Sequence, residues 1–132
     1  MPIVASSFQS PWWLAGPHRQ TIWNTVIGRK PPVPLRRERF ELSDGDFVDL
    51  DWLEGGQGPI VIVLHGLDGS SDSPYARGVL KRIQDLGWRG LILNFRGCSG
   101  EPNRLMRAYH SGDTGDIAEV ATALRKLSLI HI

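Results

Sequence analysis

Apolar and polar positions alternate in one part of this chain and run together in another. From Phe47 to Leu53 the apolar residues Phe47, Val48, Leu50, Trp52 and Leu53 partly alternate with Asp49 and Asp51, the pattern of a strand with one buried and one wet face. A shorter run, Phe40 to Leu42, precedes it across Ser43-Asp44-Gly45-Asp46, and the two predict a hairpin. At Ile60 to Leu64 the alternation stops. Five consecutive apolar residues suit a strand covered on both faces, as in a parallel sheet. Beyond it, from Pro74 to about Leu86, Tyr75, Val79, Leu80, Ile83 and Leu86 share one helical stripe. Ser73 is placed as N-cap, Pro74 at N1 and Gly87 as the stop. A second buried strand is predicted at Leu91 to Phe95, so strand, helix and strand form a β-α-β unit with a parallel pair. A last helix begins near Asp113 or Thr114, with Ile117, Val120, Ala121 and Leu124 inward. The fold class is α/β.

The flanks read differently. Residues 1–38 form an irregular arm that holds Trp12, Trp13 and Trp23 of the five tryptophans and six of the nine prolines. A short helix is predicted over His18 to Ile27, with Ile22, Val26 and Trp23 on a common face. Such an arm either packs across a domain or makes weak membrane-surface contact through Trp12 and Trp13. The basic residues Arg29, Lys30, Arg36, Arg37 and Arg39 read as a solvated face, and Asp49 and Asp51 as carboxylates turned to water. The domain itself is assigned to 39–126. Within it the loop from Arg96 to Gly112 is too long for a plain connection and is expected to carry function. Arg96, Cys98, His110 and Ser111 are its substrate-proximal candidates. Residues 127–132, LSLIHI, offer no C-cap, turn or further strand. They match the peptide produced when a transposase-end adapter is read through in frame, and are expected to be a non-native tail.

Composition narrows the function classes. At 132 residues the chain has the size of one domain, and 15 basic against 14 acidic residues leave a formal net charge of +1. No global field points to nucleic acid. A single cysteine, Cys98, excludes an internal disulfide and fits a cytoplasmic protein. No apolar run approaches the roughly 18 residues of a membrane span, and MPIVASSF lacks the basic n-region of a secretion signal.

The chemistry centres on the loop after Ile60 to Leu64. Its Gly66 and Gly69 fit neither the G-x-G-x-x-G of a dinucleotide site nor the G-x-x-x-x-G-K-[ST] of a phosphate loop. Neither a cofactor nor a metal is expected. Two readings remain. One is the His-Gly-x-x-Gly loop that aims a backbone N–H, here that of Leu67, at a tetrahedral oxyanion. The other is a tight strand-to-helix turn in which His65 holds the loop by hydrogen bonds.

Several blocks taken together resemble one family. They are Pro17-His18-Arg19-Gln20-Thr21, Asp44 to Leu50, His65-Gly66-Leu67 running to Ser73-Pro74-Tyr75, Asn94 to Asn103 and Tyr109-His110-Ser111-Gly112. The chain from Pro17 to Lys126 is similar to the YheT-like α/β-hydrolases. The resemblance implies the N-terminal part of that fold, with strand order 1-2-4-3. It implies a serine hydrolase of carboxylic esters, lipids among them, with His65, Gly66 and Leu67 in the oxyanion-hole loop. The Ser, Asp and His of the triad are expected beyond Ile132, because no G-x-S-x-G occurs here. On that reading this chain carries no catalytic residue and is inactive alone. The alternative is a non-catalytic α/β-hydrolase-like module that binds an apolar ligand or partner.

Overall fold

A computed structural model, describing residues 7–28 and 30–129, joins the predicted hairpin and β-α-β unit into one mixed sheet. Its strands are β1 (Leu35–Glu41), β2 (Phe47–Leu53), β3 (Ile60–Leu64) and β4 (Arg89–Asn94), and its helices are α1 (Pro17–Ile27), α2 (Pro74–Asp85) and α3 (Gly115–Leu129). The sheet order is β1-β2-β4-β3, as the resemblance implied. β2 is antiparallel to both neighbours, while β3 and β4 run parallel.

Each face of the sheet has its own core. On one side Ala76, Leu80 and Ile83 of α2 pack on Leu53, Val63 and Ile92. On the other, Val120 and Leu124 of α3 meet Val48, Leu50, Leu91, Leu93 and Phe95. Successive residues of β4 therefore serve opposite cores, which is why its apolar run is unbroken. Burying a Leu or Ile side chain contributes about 1.5–3 kcal/mol, so these two clusters hold the helices to the sheet. Gly90 lets α2 approach closely, since a Cβ there would lie 3.1 Å from Ile83 Cγ2.

Several expectations are corrected. β1 begins at Leu35, not Phe40. Arg36, Arg37 and Arg39 lie in this strand and are exposed, as the solvated-face reading expected, though Arg37 and Arg39 also reach across to Asp51 and Asp49 of β2; Arg29 lies outside the described residues. Asp49 and Asp51 do not face water: both are buried, Asp49 under Arg39 and Asp51 under Arg37 of β1. β3 is the edge strand, as the order 1-2-4-3 implied, but it is partly exposed along most of its length and not covered on both faces as its apolar run suggested. The buried stripe of α2 is Ala76, Leu80 and Ile83, with Tyr75, Val79 and Leu86 left exposed.

At the flanks, α1 forms where predicted, but Ile22, Trp23 and Val26 are exposed. Val33 is the arm's one fully buried residue among those whose burial is described. Helix α3 continues through Leu129, into the stretch expected to be a non-native tail; residues 130–132 lie outside the described residues. Among the described residues no helix is long and apolar enough to cross a membrane.

Candidate active site

The turn after β3 is built from both ends. His65 is buried, and its Nε2 accepts the Phe95 N–H at 3.0 Å, so the ring proton sits on Nδ1, 2.8 Å from the Gly66 carbonyl oxygen to which it donates. Gly69 N–H donates to the same oxygen at 3.0 Å, closing a four-residue turn. Asp68, at the third position, has φ +57°, while Leu67 is not left-handed, a combination that fits a type II turn. Gly69 is dictated by space, while Gly66 would admit a Cβ at 3.8 Å from Tyr75 Oη. A Cβ on Gly69 would lie 3.0 Å from Gly66 O, 3.0 Å from Tyr75 Oη and 3.1 Å from His65 Cβ.

The amides of this segment are nearly all engaged. Gly66 N–H donates to Tyr75 Oη (2.7 Å) and Asp68 N–H to Tyr109 Oη (2.9 Å). Ser70 N–H donates to Ser73 Oγ (3.1 Å), Ser71 N–H to Asn94 Oδ1 (2.9 Å) and Asp72 N–H to Ser70 Oγ (3.1 Å). Ser73 N–H donates to Ser70 O at 3.0 Å. Between Gly66 and Ser73 the Leu67 N–H alone has no partner among the described residues. Its side chain is exposed, and the residue lines a cleft of about 780 Å³ shared with Lys30, Ser73 and Tyr75. A free N–H beside a cleft can receive a negatively charged oxygen.

Beneath the turn lies a buried polar network. Arg37 holds Asp51 through two bonds of 2.8 Å and donates to Ser99 O at 2.7 Å. Asn94 Nδ2 donates to Asp51 Oδ2 (2.8 Å) and Asp49 O (3.1 Å), while its Oδ1 accepts the Ser71 N–H. Burial pushes the Asp51 carboxyl up, but bonds from Arg37, Ser71 and Asn94 outweigh it and hold the group below the ordinary carboxylate range. Asp49 behaves likewise, with burial opposed by Arg39 and Ser99. These carboxylates are charged struts that tie β1, β2 and β4 to the loop.

The four candidates of the long loop are not brought together at the turn. Arg96 is buried, with Nε and Nη2 on Asp116 at 2.8 and 2.7 Å and Nη1 on Asp46 and Asp44 at 3.0 and 2.8 Å. Four of its five N–H groups are held by three carboxylates and the side chain is buried, so Arg96 ties the long loop to the turn before β2 and to α3, which speaks against a place beside substrate. Cys98 is half-buried against the core, and it lines a polar pocket with Ser99 and Gly100. His110 and Ser111 are exposed, and His110 Nδ1 accepts the Gly112 N–H at 3.1 Å. Tyr109, next to His110, is the residue of this loop that reaches the turn, and sequence reasoning passed over it as it did Tyr75. Both stand in the blocks that carry the family resemblance, which was the available signal.

No family model matches the chain. It is 48% identical over 103 residues to YheT of Escherichia coli (strain K12), provisionally named an esterase, an alignment covering 75% of this chain and 30% of that one. It is 32% identical over 129 residues to protein abhd-3.2 of Caenorhabditis elegans (94% and 34% covered) and 28% identical over 135 residues to phospholipase ABHD3 of Mus musculus (96% and 33%). The chain thus spans about a third of the length of the curated relatives it matches. A solved structure from work on two Rhizomucor miehei esterases aligns with 70% of this chain and 32% of its own, at TM-score 0.42 and 18% identity.

Proposed function

Since this chain belongs to the YheT-like α/β-hydrolases over the part of their length that it spans, we propose that the whole protein is a serine carboxylic-ester hydrolase in which the Leu67 N–H is one donor of the oxyanion hole. The observation that carries the reading is the single uncommitted amide in a turn whose other N–H groups are bonded. Attack of a serine hydroxyl on an ester carbonyl gathers negative charge on the carbonyl oxygen. A fixed donor there stabilises the transition state by about 2.7–4 kcal/mol. The nucleophile, acid and base come from outside this chain. The names of the relatives favour ester and phospholipid substrates, and exposed Trp12 and Trp13 suit weak contact with a lipid surface. The lone cysteine suits the cytoplasm.

Leu67→Pro tests the reading cleanly. The second position of a type II turn accepts proline, so the variant deletes the donor while leaving the turn. In the whole protein kcat for a p-nitrophenyl ester is expected to fall about 10²–10³-fold with KM little changed; an unchanged kcat overturns the assignment.

A further inference from the structure

Three planar peptide units make up the core of the turn, and each is held from outside. The Leu67 N–H belongs to the same rigid trans unit as the Gly66 carbonyl and points opposite to it. Fixing that carbonyl therefore fixes the donor. His65 Nδ1 and Gly69 N–H bond the Gly66 oxygen at 2.8 and 3.0 Å, and Tyr109 Oη reaches it at 3.5 Å. The units before and after are each held by a tyrosine hydroxyl. Tyr75 Oη accepts the Gly66 N–H, and Tyr109 Oη accepts the Asp68 N–H.

The two tyrosines come from different elements. Tyr75 is the second residue of α2 and is turned out of the helix's buried stripe, 45% exposed. Tyr109 belongs to the long loop after β4. Its ring stacks on Phe95 at 4.8 Å with an interplanar angle of 4°, and stands edge-on to His65 at 5.8 Å. Burial pushes the Tyr109 hydroxyl pKa up, so the group stays neutral and can accept and donate together. We propose that Tyr75 and Tyr109 are positioning residues, a pair of hydroxyl clamps on either side of Leu67 that hold its amide toward the cleft. The proposal rests on the reading of Leu67 as the oxyanion donor. It also explains the length of the loop after β4, which has to deliver one of the clamps.

Tyr75→Phe and Tyr109→Phe remove only the hydroxyls, and the second keeps the ring stack on Phe95. Amide hydrogen exchange read by NMR on this chain is expected to accelerate about tenfold, at Gly66 in the first variant and at Asp68 in the second. In the whole protein each substitution is expected to lower kcat about tenfold with KM unchanged, and the pair together more. Exchange that does not change at those two amides overturns the clamp. If exchange accelerates while kcat stays put, and Leu67→Pro still lowers kcat, the positioning role is overturned and the donor survives. If Leu67→Pro is itself without effect, both fall.

Discussion

Replacing Arg96 by Met tests whether this residue serves the fold. The substitution keeps most of the side-chain volume but removes four charge-assisted bonds, two to Asp116 and one each to Asp46 and Asp44. Asp46 and Asp116 are 0% and 2% exposed, so two buried carboxylates lose their main charge partner, Asp46 keeping only neutral donors and Asp116 only Arg107 at 4.0 Å. Breaking a buried pair from one side costs about 3–5 kcal/mol, a large part of the roughly 5–15 kcal/mol that holds a domain together. Followed by tryptophan fluorescence, the urea midpoint is expected to fall by about 2 M. Arg36→Met is the control. Its pair with Glu38 is exposed on both sides and is worth about 0–1 kcal/mol. Adding Asp116→Asn to Arg96→Met removes one stranded charge and is expected to return at least about 1 kcal/mol. The pH dependence adds a second check. Burial pushes the Asp46 carboxyl up, but bonds from Asn103, Arg104 N–H and Phe47 N–H and the charge of Arg96 bring it from 3.8 down to about 2. A depressed carboxylate stabilises the fold fully above its unfolded pKa and loses that contribution as pH falls through its folded value. The gap between wild type and Arg96→Met is therefore expected to narrow between about pH 4 and pH 2. A loss under about 1 kcal/mol at pH 7 would refute the structural role.

Three further outcomes follow from the same contacts. Asn94→Leu strands the Ser71 N–H, the Asp49 carbonyl and one bond to Asp51, and is expected to cost about 3 kcal/mol in chemical denaturation. Asp68→Gly relieves a left-handed backbone at φ +57° while its bond to Tyr109 comes from the main chain. A calorimetric gain of about 0.5 kcal/mol is expected, and a loss would count against the turn type. Purified residues 1–132 are expected to show no steady p-nitrophenyl ester turnover; turnover abolished by Ser99→Ala or Ser111→Ala would place a nucleophile inside this chain.

What the sequence disclosed was local. The unbroken run at Ile60–Leu64, the Ser73-Pro74 start and Gly87 stop around α2, and the second run through Leu93 each carry their signal within a few residues. Their assembly into a β-α-β unit needed only general chirality and length rules. What stayed hidden was pairing between distant positions. Nothing near Arg37 or Asp51 announces that they meet at 2.8 Å, so the arginines read as a solvated patch and the aspartates as a wet face. The register of β1 on β2 decides both, and no hydrophobic pattern encodes it, because β1 is charged along most of its length. The burial of Arg96 stayed hidden for the same reason: its partners Asp46 and Asp116 lie 50 and 20 residues away. In the turn, His65, Gly66 and Leu67 were singled out by their motif, whereas Tyr75 and Tyr109 meet it through hydroxyls that no short pattern describes.

The grip of Asp46 on the loop after β4 sets an order of assembly. Its carboxylate accepts from Asn103 Nδ2, 57 positions on, and from the Arg104 N–H; a few residues later the same loop delivers Tyr109 to Asp68, 41 positions back. Spans of that length close late, after local helices and hairpins have formed. On the ribosome, then, Gly66 to Gly69 leave the exit tunnel long before the residue that finishes shaping them, and a nascent chain halted short of Tyr109 has the right glycines in a turn that has not yet set.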